Sequence, residues 1–193
     1  MKSTAINSIV SNPRQYAKYI ALVQSTLLVL MAMTAAEGLE NDRTKEVLQA
    51  SEVLDKIKAA EPIAYEHKII KGHLDINTLD LPQDEKGRRI INTPISITNS
   101  IIDGNIIFKN AIFQKNVKFY NTSINGISDF SYSIFTDQTS FRKTHFNDET
   151  NFLYSDFNSD AFFIGAIFNR TASFWEVNFM EDVDFGSAEF HKA

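Results

Sequence analysis

The chain has no cysteine among its 193 residues. That excludes a disulfide framework, a thiolate metal site and a thiol nucleophile, and it leaves the redox compartment unmarked. Basic charge is scarce as well. Lys and Arg number 19 against 24 Asp and Glu, a formal charge of −5, and the shortfall is local: residues 1–94 hold 12 acidic and 12 basic side chains, while 95–193 hold 12 acidic and 7 basic. Phosphate binding needs clustered Lys and Arg, so nucleic acid is not an expected partner. The four histidines, His67, His73, His145 and His191, are scattered and never fall at metal-ligand spacing. No GxSxG and no glycine-rich phosphate loop occurs. The acidic runs Asp148-Glu149 and Glu181-Asp182 with Asp184 lack the Gly-Asp spacing of calcium loops and read as solvated turns. These absences argue against an enzyme and against any cofactor or metal.

What the chain has is phenylalanine: 16 of them beside one Trp. From Ile95 to Phe190 a large apolar residue returns at alternating steps of five and six, and one column reads Phe108, Phe119, Phe130, Phe141, Phe152, Phe163, Phe174, Phe185. The two steps together make a unit of eleven, the mark of a repeat protein. Strand residues two apart share a face, so the residue two before each rung also points inward. Those residues are Ser100, Ala111, Thr122, Ser133, Thr144, Ser155, Ala166, Val177 and Ala188 ahead of one set of rungs. Ahead of the other set they are Ile106, Val117, Ser128, Thr139, Thr150, Ala161, Ala172 and Val183, and all are small or β-branched. Large and small inward residues therefore alternate, as a narrow interior demands. A coil must return each column to itself. Eleven residues with two corners cannot enclose two layers of side chains, whereas twice that number with four short faces can, so the expected shape is a rod of square section rising roughly 4.8 Å per coil.

Units such as Ala111-Ile112-Phe113-Gln114-Lys115, Ala166-Ile167-Phe168-Asn169-Arg170 and Ala188-Glu189-Phe190-His191-Lys192 resemble those of the pentapeptide-repeat proteins. The family's unit has a small residue, any residue, then Leu or Phe. The resemblance covers residues 95–193 and implies an all-β solenoid, a right-handed quadrilateral β-helix. Two departures stand out: the large position is almost always Phe, and one step in two is six residues, which predicts wider turns at alternate corners. Some members of the family imitate the shape and charge of DNA, and the resemblance therefore also implies an alternative function, a cytoplasmic inhibitor or protector of DNA topoisomerase.

Ahead of the repeat, residues 1–36 have the three-part layout of a signal peptide or signal anchor, with basic residues up to Lys18, an uncharged stretch over 19–36, and small residues at Thr34 and Ala36. Residues 19–36 form the expected hydrophobic helix and membrane tether, which would put the repeat outside the cytoplasm. Residues 37–63 read as an amphipathic α-helical cap: Glu40 to Glu61 carries Val47, Leu48, Val53, Leu54 and Ile57 near helical spacing and stops before Pro62. Residues 64–94 read as an irregular first β-helix turn, with Ile70, Leu74, Ile76, Leu79 and Leu81 inward and Pro82 to Arg89 as a charged loop insertion.

If the ladder faces inward, contacts must come from outward positions. A coil of two units stacks Ile112 over Ile134, Leu153 over Trp175, and Tyr120 over Arg142 over Ile164. These residues are the candidate contact surface for a protein partner. The sequons at Asn121 and Asn169 are candidate glycosylation sites of an exported chain, and the last coil is a candidate for end-to-end pairing of two copies. The expected function is a non-enzymatic interaction or structural module, exported or tethered to a membrane.

Overall fold

In the computed structural model, which describes residues 45–192, the repeat closes by parallel pairing of each strand with the strands one coil before and one coil after. Val117 pairs with Ile95 on one side and with Thr139 on the other, two units of eleven away in each direction. The chain visits four faces in a fixed order. In one coil these are Ile95–Thr98 on the first, Ile101–Asp103 on the second, Ile106–Ile107 on the third and Ala111–Phe113 on the fourth. The second face counts seven strands, the first six and the third and fourth five each. Ile167–Ser173 runs through a corner and joins the second and third faces into one 11-stranded sheet.

The Phe ladder is inward. Phe108, Phe113, Phe119, Phe130, Phe135, Phe141, Phe146, Phe152, Phe157, Phe163 and Phe168 are at most 1% exposed. Rings one coil apart stack nearly parallel, as in Phe146–Phe168 at 4.8 Å and 3° and Phe130–Phe152 at 5.0 Å and 6°. Rings on neighbouring columns meet edge to face, as in Phe152–Phe163 at 85°. Both geometries satisfy the ring quadrupole, and together they fill the square section. Towards residue 190 the burial falls off: Phe174, Phe179 and Phe185 are half-buried and Phe190 is 50% exposed.

The small inward residues do more than leave room. At the corners spanned by five residues, their hydroxyls donate to backbone carbonyls: Thr144 Oγ1 to Phe119 O at 2.6 Å, Ser133 Oγ to Phe108 O at 2.8 Å, Ser155 Oγ to Phe152 O at 2.6 Å. Such a partner offsets the cost of burying the hydroxyl. These same corners turn on a residue with positive φ, which recurs once per unit: Asn99, Asn110, Asn121, Tyr132, Lys143, Tyr154, Gly165, Glu176 and Ser187, with φ between 48° and 63°. Asn and Gly tolerate this region; the others sit there at a cost of ~1–2 kcal/mol each. Five-residue corners are thus tight left-handed turns, whereas among the described six-residue corners only the one at Gly72, φ 100°, uses a positive φ. At one six-residue corner Gly72, Gly104 and Gly126 lie in column, where a Cβ on Gly104 would stand 2.1 Å from the Gly72 carbonyl oxygen.

The start of the unit differs from a helix over 40–61. Residues 37–44 of the expected helical cap lie outside the described residues; Glu46–Gln49 is a strand on the second face, paired with Lys68–Lys71, and among the described residues of this stretch only Ala50–Lys58 is helical. Val47 is 47% exposed and Leu48 is 9% exposed, so the two neighbours alternate across a strand instead of sharing a helix stripe. Pairing with the edge of the sheet overrides the intrinsic helix preference of this stretch. Glu52 Oε1 accepts from the Gln49 backbone N–H at 2.8 Å to start the helix, and Ala60 ends it at φ 54°. Ala50, Val53 and Ile57 enter the same core as the ladder. The helix occupies the place of the third and fourth faces in this coil, and the pairing of Glu46 with Lys68 keeps the regular coil length.

The next coil is longer. Leu74 pairs with Ile106, whereas Arg89 pairs with Ala111 at the regular coil length. Ten extra residues therefore lie between Asp75 and Arg89. They form an ordered projection: Asp84 N donates to Arg88 O at 3.0 Å, Ile90 N to Pro82 O at 2.7 Å, and Gln83 bridges Arg89 antiparallel. The 1–36 segment and the expected tether at 19–36 lie outside the described residues. Among the described residues no helix is long and apolar enough to cross a membrane.

Candidate interaction surface

Inward positions are committed to packing, so the outward side chains define what this rod can touch. They divide between two places. The first is the corner between the third and fourth faces. Tyr132 and Tyr154 occupy its positive-φ positions, one coil apart, which turns both rings out of the rod at 51% and 40% exposure. Their rings stack at 5.2 Å, and Trp175, 68% exposed, continues the stack at 6.4 Å from Tyr154. Trp175 therefore packs on Tyr154, while Leu153 is half-buried behind it. Ile112 and Ile134 pair in register on the adjoining fourth face, with Ile90 paired below them.

The ten-residue projection closes one side of this corner. Asn110 Nδ2 donates to Gly87 O at 3.1 Å, pinning the loop against the turn that precedes Tyr132 in the column. Within the loop, Asp84 accepts from the backbone of Lys86 and Arg88 at 3.0 and 2.9 Å and from Arg88 Nε at 2.8 Å. The Arg88 side chain, then its backbone N–H, holds the Asp84 carboxyl below the usual carboxylate range. The result is an open groove lined by Lys86, Arg88, Asn110, Tyr132, Ile134, Tyr154 and Asp156. Sequence reasoning missed Tyr132 and Tyr154. The signal was present, since they continue the corner column begun by Asn99, Asn110 and Asn121, but a positive-φ corner is recognisable only once some of its occupants are seen to be Asn or Gly.

The second place is the outward side of the first face. Tyr120, Arg142 and Ile164 stack there as coil length predicts, with Asn121 N bonding Arg142 O and Lys143 N bonding Ile164 O. Phe162, two residues before Ile164 and also outward, was not singled out from the sequence; the Arg142 guanidinium lies 3.9 Å from its ring centroid. Lys118 and Lys143 place their ammonium groups 5.7 and 5.9 Å from the Tyr120 ring. The outward positions that look like one stripe in sequence thus sit on different faces.

Asn121 and Asn169 belong to side-chain ladders. Asn121 Nδ2 donates to Asn99 Oδ1 at 2.8 Å, and Asn169 Nδ2 to Asn147 Oδ1 at 2.8 Å, with Asn147 in turn donating to Asn125 at 3.0 Å. A glycan on either amide would leave one Nδ2 hydrogen for the ladder. Among the described residues no group of three His, Cys, Asp or Glu side chains is placed to hold a metal ion.

Neither the curated proteins nor the solved structures include a match to this chain. A family model described as pentapeptide repeats, nine copies, matches residues 108–156 and again 141–189. These residues are the coils in which stacked Phe rungs alternate with small, hydrogen-bonded residues at the corners, and over that segment the chain is a run of pentapeptide repeats.

Proposed function

We propose that this chain is a protein-interaction module whose docking surface is the corner groove between the third and fourth faces. One observation carries this: Tyr132, Tyr154 and Trp175 form a continuous exposed aromatic stack beside an ordered loop that brings Lys86 and Arg88 to its edge. Exposed Tyr and Trp flanked by a cationic rim are the usual composition of binding hot spots. The rest of the rod holds this corner rigid. In the same reading the helix Ala50–Lys58 closes one end of the core, residues 19–36 export or tether the chain, and two copies pair end to end through the coil containing Phe190.

A photo-crosslinking side chain in place of Tyr154 should capture a discrete partner in cells, and the adduct should disappear in a Trp175→Ala background. Crosslinking that is unchanged in that background would remove the corner from the interface. Location is tested separately, by N-terminal mapping of the mature chain and protease accessibility in intact cells. A full-length chain with Met1 retained in the cytoplasm would end the export reading.

A second reading, inhibition or protection of a DNA topoisomerase by mimicry of DNA, draws support from charge polarity along the rod. Residues 144–193 hold nine acidic side chains against Arg170 and Lys192. A supercoiling assay with purified protein tests it.

A further inference from the structure

The first face and the corner that follows it carry three cations, Lys118, Arg142 and Lys143, with no counter-ion among the described residues. Lys68, Arg88 and Lys109 each have a carboxylate within ion-pair distance. Lys118, Arg142 and Lys143 have none among the described residues, although the chain as a whole is acidic. Their immediate outward neighbours on this face, Tyr120, Ser140, Phe162 and Ile164, are uncharged. Unneutralised cations held side by side repel one another, and an incoming anion relieves that repulsion.

Arg142 sits at the centre of the group. Its guanidinium lies 3.9 Å from the Phe162 ring centroid, and its buried Nε has no hydrogen-bond partner among the described residues. An arginine stacked on a ring holds its guanidinium in a fixed plane, and its terminal edge, Nη1 and Nη2, can then donate two parallel bonds to a carboxylate. Lys118 and Lys143 flank it around Tyr120, while Phe162 and Ile164 provide an apolar strip on the next coil. We propose that this cradle binds an acidic peptide segment of a partner protein, with a carboxylate on Arg142 and an apolar side chain against Phe162 and Ile164.

The surroundings favour a short peptide over a polyanion. Asp137, Asp160 and Asp182 lie in the turns that lead into this face, and Asp184 is paired next to Phe162 on it. A nucleic-acid backbone or an anionic membrane needs a long cationic track and would meet these carboxylates, whereas one carboxylate side chain needs only the cradle.

The test uses the full chain and two capped octapeptides, one alternating Glu and Leu and one alternating Gln and Leu, titrated calorimetrically. The Glu peptide should bind about tenfold tighter than the Gln peptide and weaken as salt is raised. Arg142→Ala should lose that difference, Arg142→Lys should keep part of it, and Lys118→Gln combined with Lys143→Gln should reduce it with the melting temperature unchanged. Trp175→Ala should leave it intact, so failure here is separable from failure at the corner groove. Equal affinity for the two peptides, no binding of the Glu peptide, wild-type binding by Arg142→Ala, or binding only to phosphatidylserine vesicles would each overturn the proposal.

Discussion

Phe135 and Phe157, one coil apart on the fourth face, stack with ring centroids 4.6 Å apart and planes 8° from parallel. Phe113 stacks on the other side of Phe135 at 4.9 Å. A rung held from both sides in this way leaves, when removed, a cavity that its neighbours cannot fill without breaking register. Phe135→Ala should cost ~3–5 kcal/mol. Phe190→Ala, at a site already 50% exposed, should cost ~1–2 kcal/mol. Urea unfolding of the two variants checks the ratio; equal losses would contradict a rod whose burial falls off towards residue 190.

The corner column gives a second contrast. Gly165 turns at φ 63° and Glu176 at φ 52° in equivalent positions. Gly165→Ala should lose about 1 kcal/mol through left-handed strain. Glu176→Gly should lose nothing, because the strain it relieves offsets the added chain entropy. Thermal melts of both proteins decide the matter.

Two buried serines should respond in opposite senses. Ser133 Oγ donates to Phe108 O at 2.8 Å and accepts from the Ala111 N–H at 3.2 Å, whereas Ser128 Oγ is buried with no partner among the described residues. Ser133→Ala leaves those groups unmet and should cost ~1–3 kcal/mol. Ser128→Ala removes an unsatisfied hydroxyl and should be neutral or stabilising. Chemical denaturation of the pair gives the sign directly.

The ten-residue loop should be sensitive to acid. Because Arg88 holds the Asp84 carboxyl below its ordinary value, the loop's closed form binds fewer protons than the open form in that range. Its closure is fully favoured above the ordinary carboxylate range and is lost as pH falls through the lowered value. Asp84→Asn should bring the open state to neutral pH, seen as faster amide exchange at Lys86 and Arg88 and faster tryptic cleavage there, with the coils on either side still protected.

The rungs and the small residues two places before them were legible because a strand period of two and a repeat of eleven leave a single assignment of inside and outside. The same logic placed Ile112 with Ile134 and Tyr120 with Arg142. It failed where the period is interrupted. Val47 and Leu48 look helical beside the true helix at Ala50–Lys58, and only pairing with Lys68–Lys71 makes them a strand. Tyr132 and Tyr154 gave no apolar-periodic signal, since a corner residue belongs to neither face.

Coil length, the inward ladder and membership of the repeat were set by the amino-acid sequence alone, because each depends on one-dimensional spacing and a fixed strand geometry. Tertiary structure decided which outward residues become neighbours. Coils in register bring side chains a full coil apart in the chain into contact, left-handed corners swing Tyr132 and Tyr154 out to meet Trp175, and the folded loop brings Lys86 and Arg88 to them. Those contacts depend on the angles at the turns, which no spacing in the chain encodes.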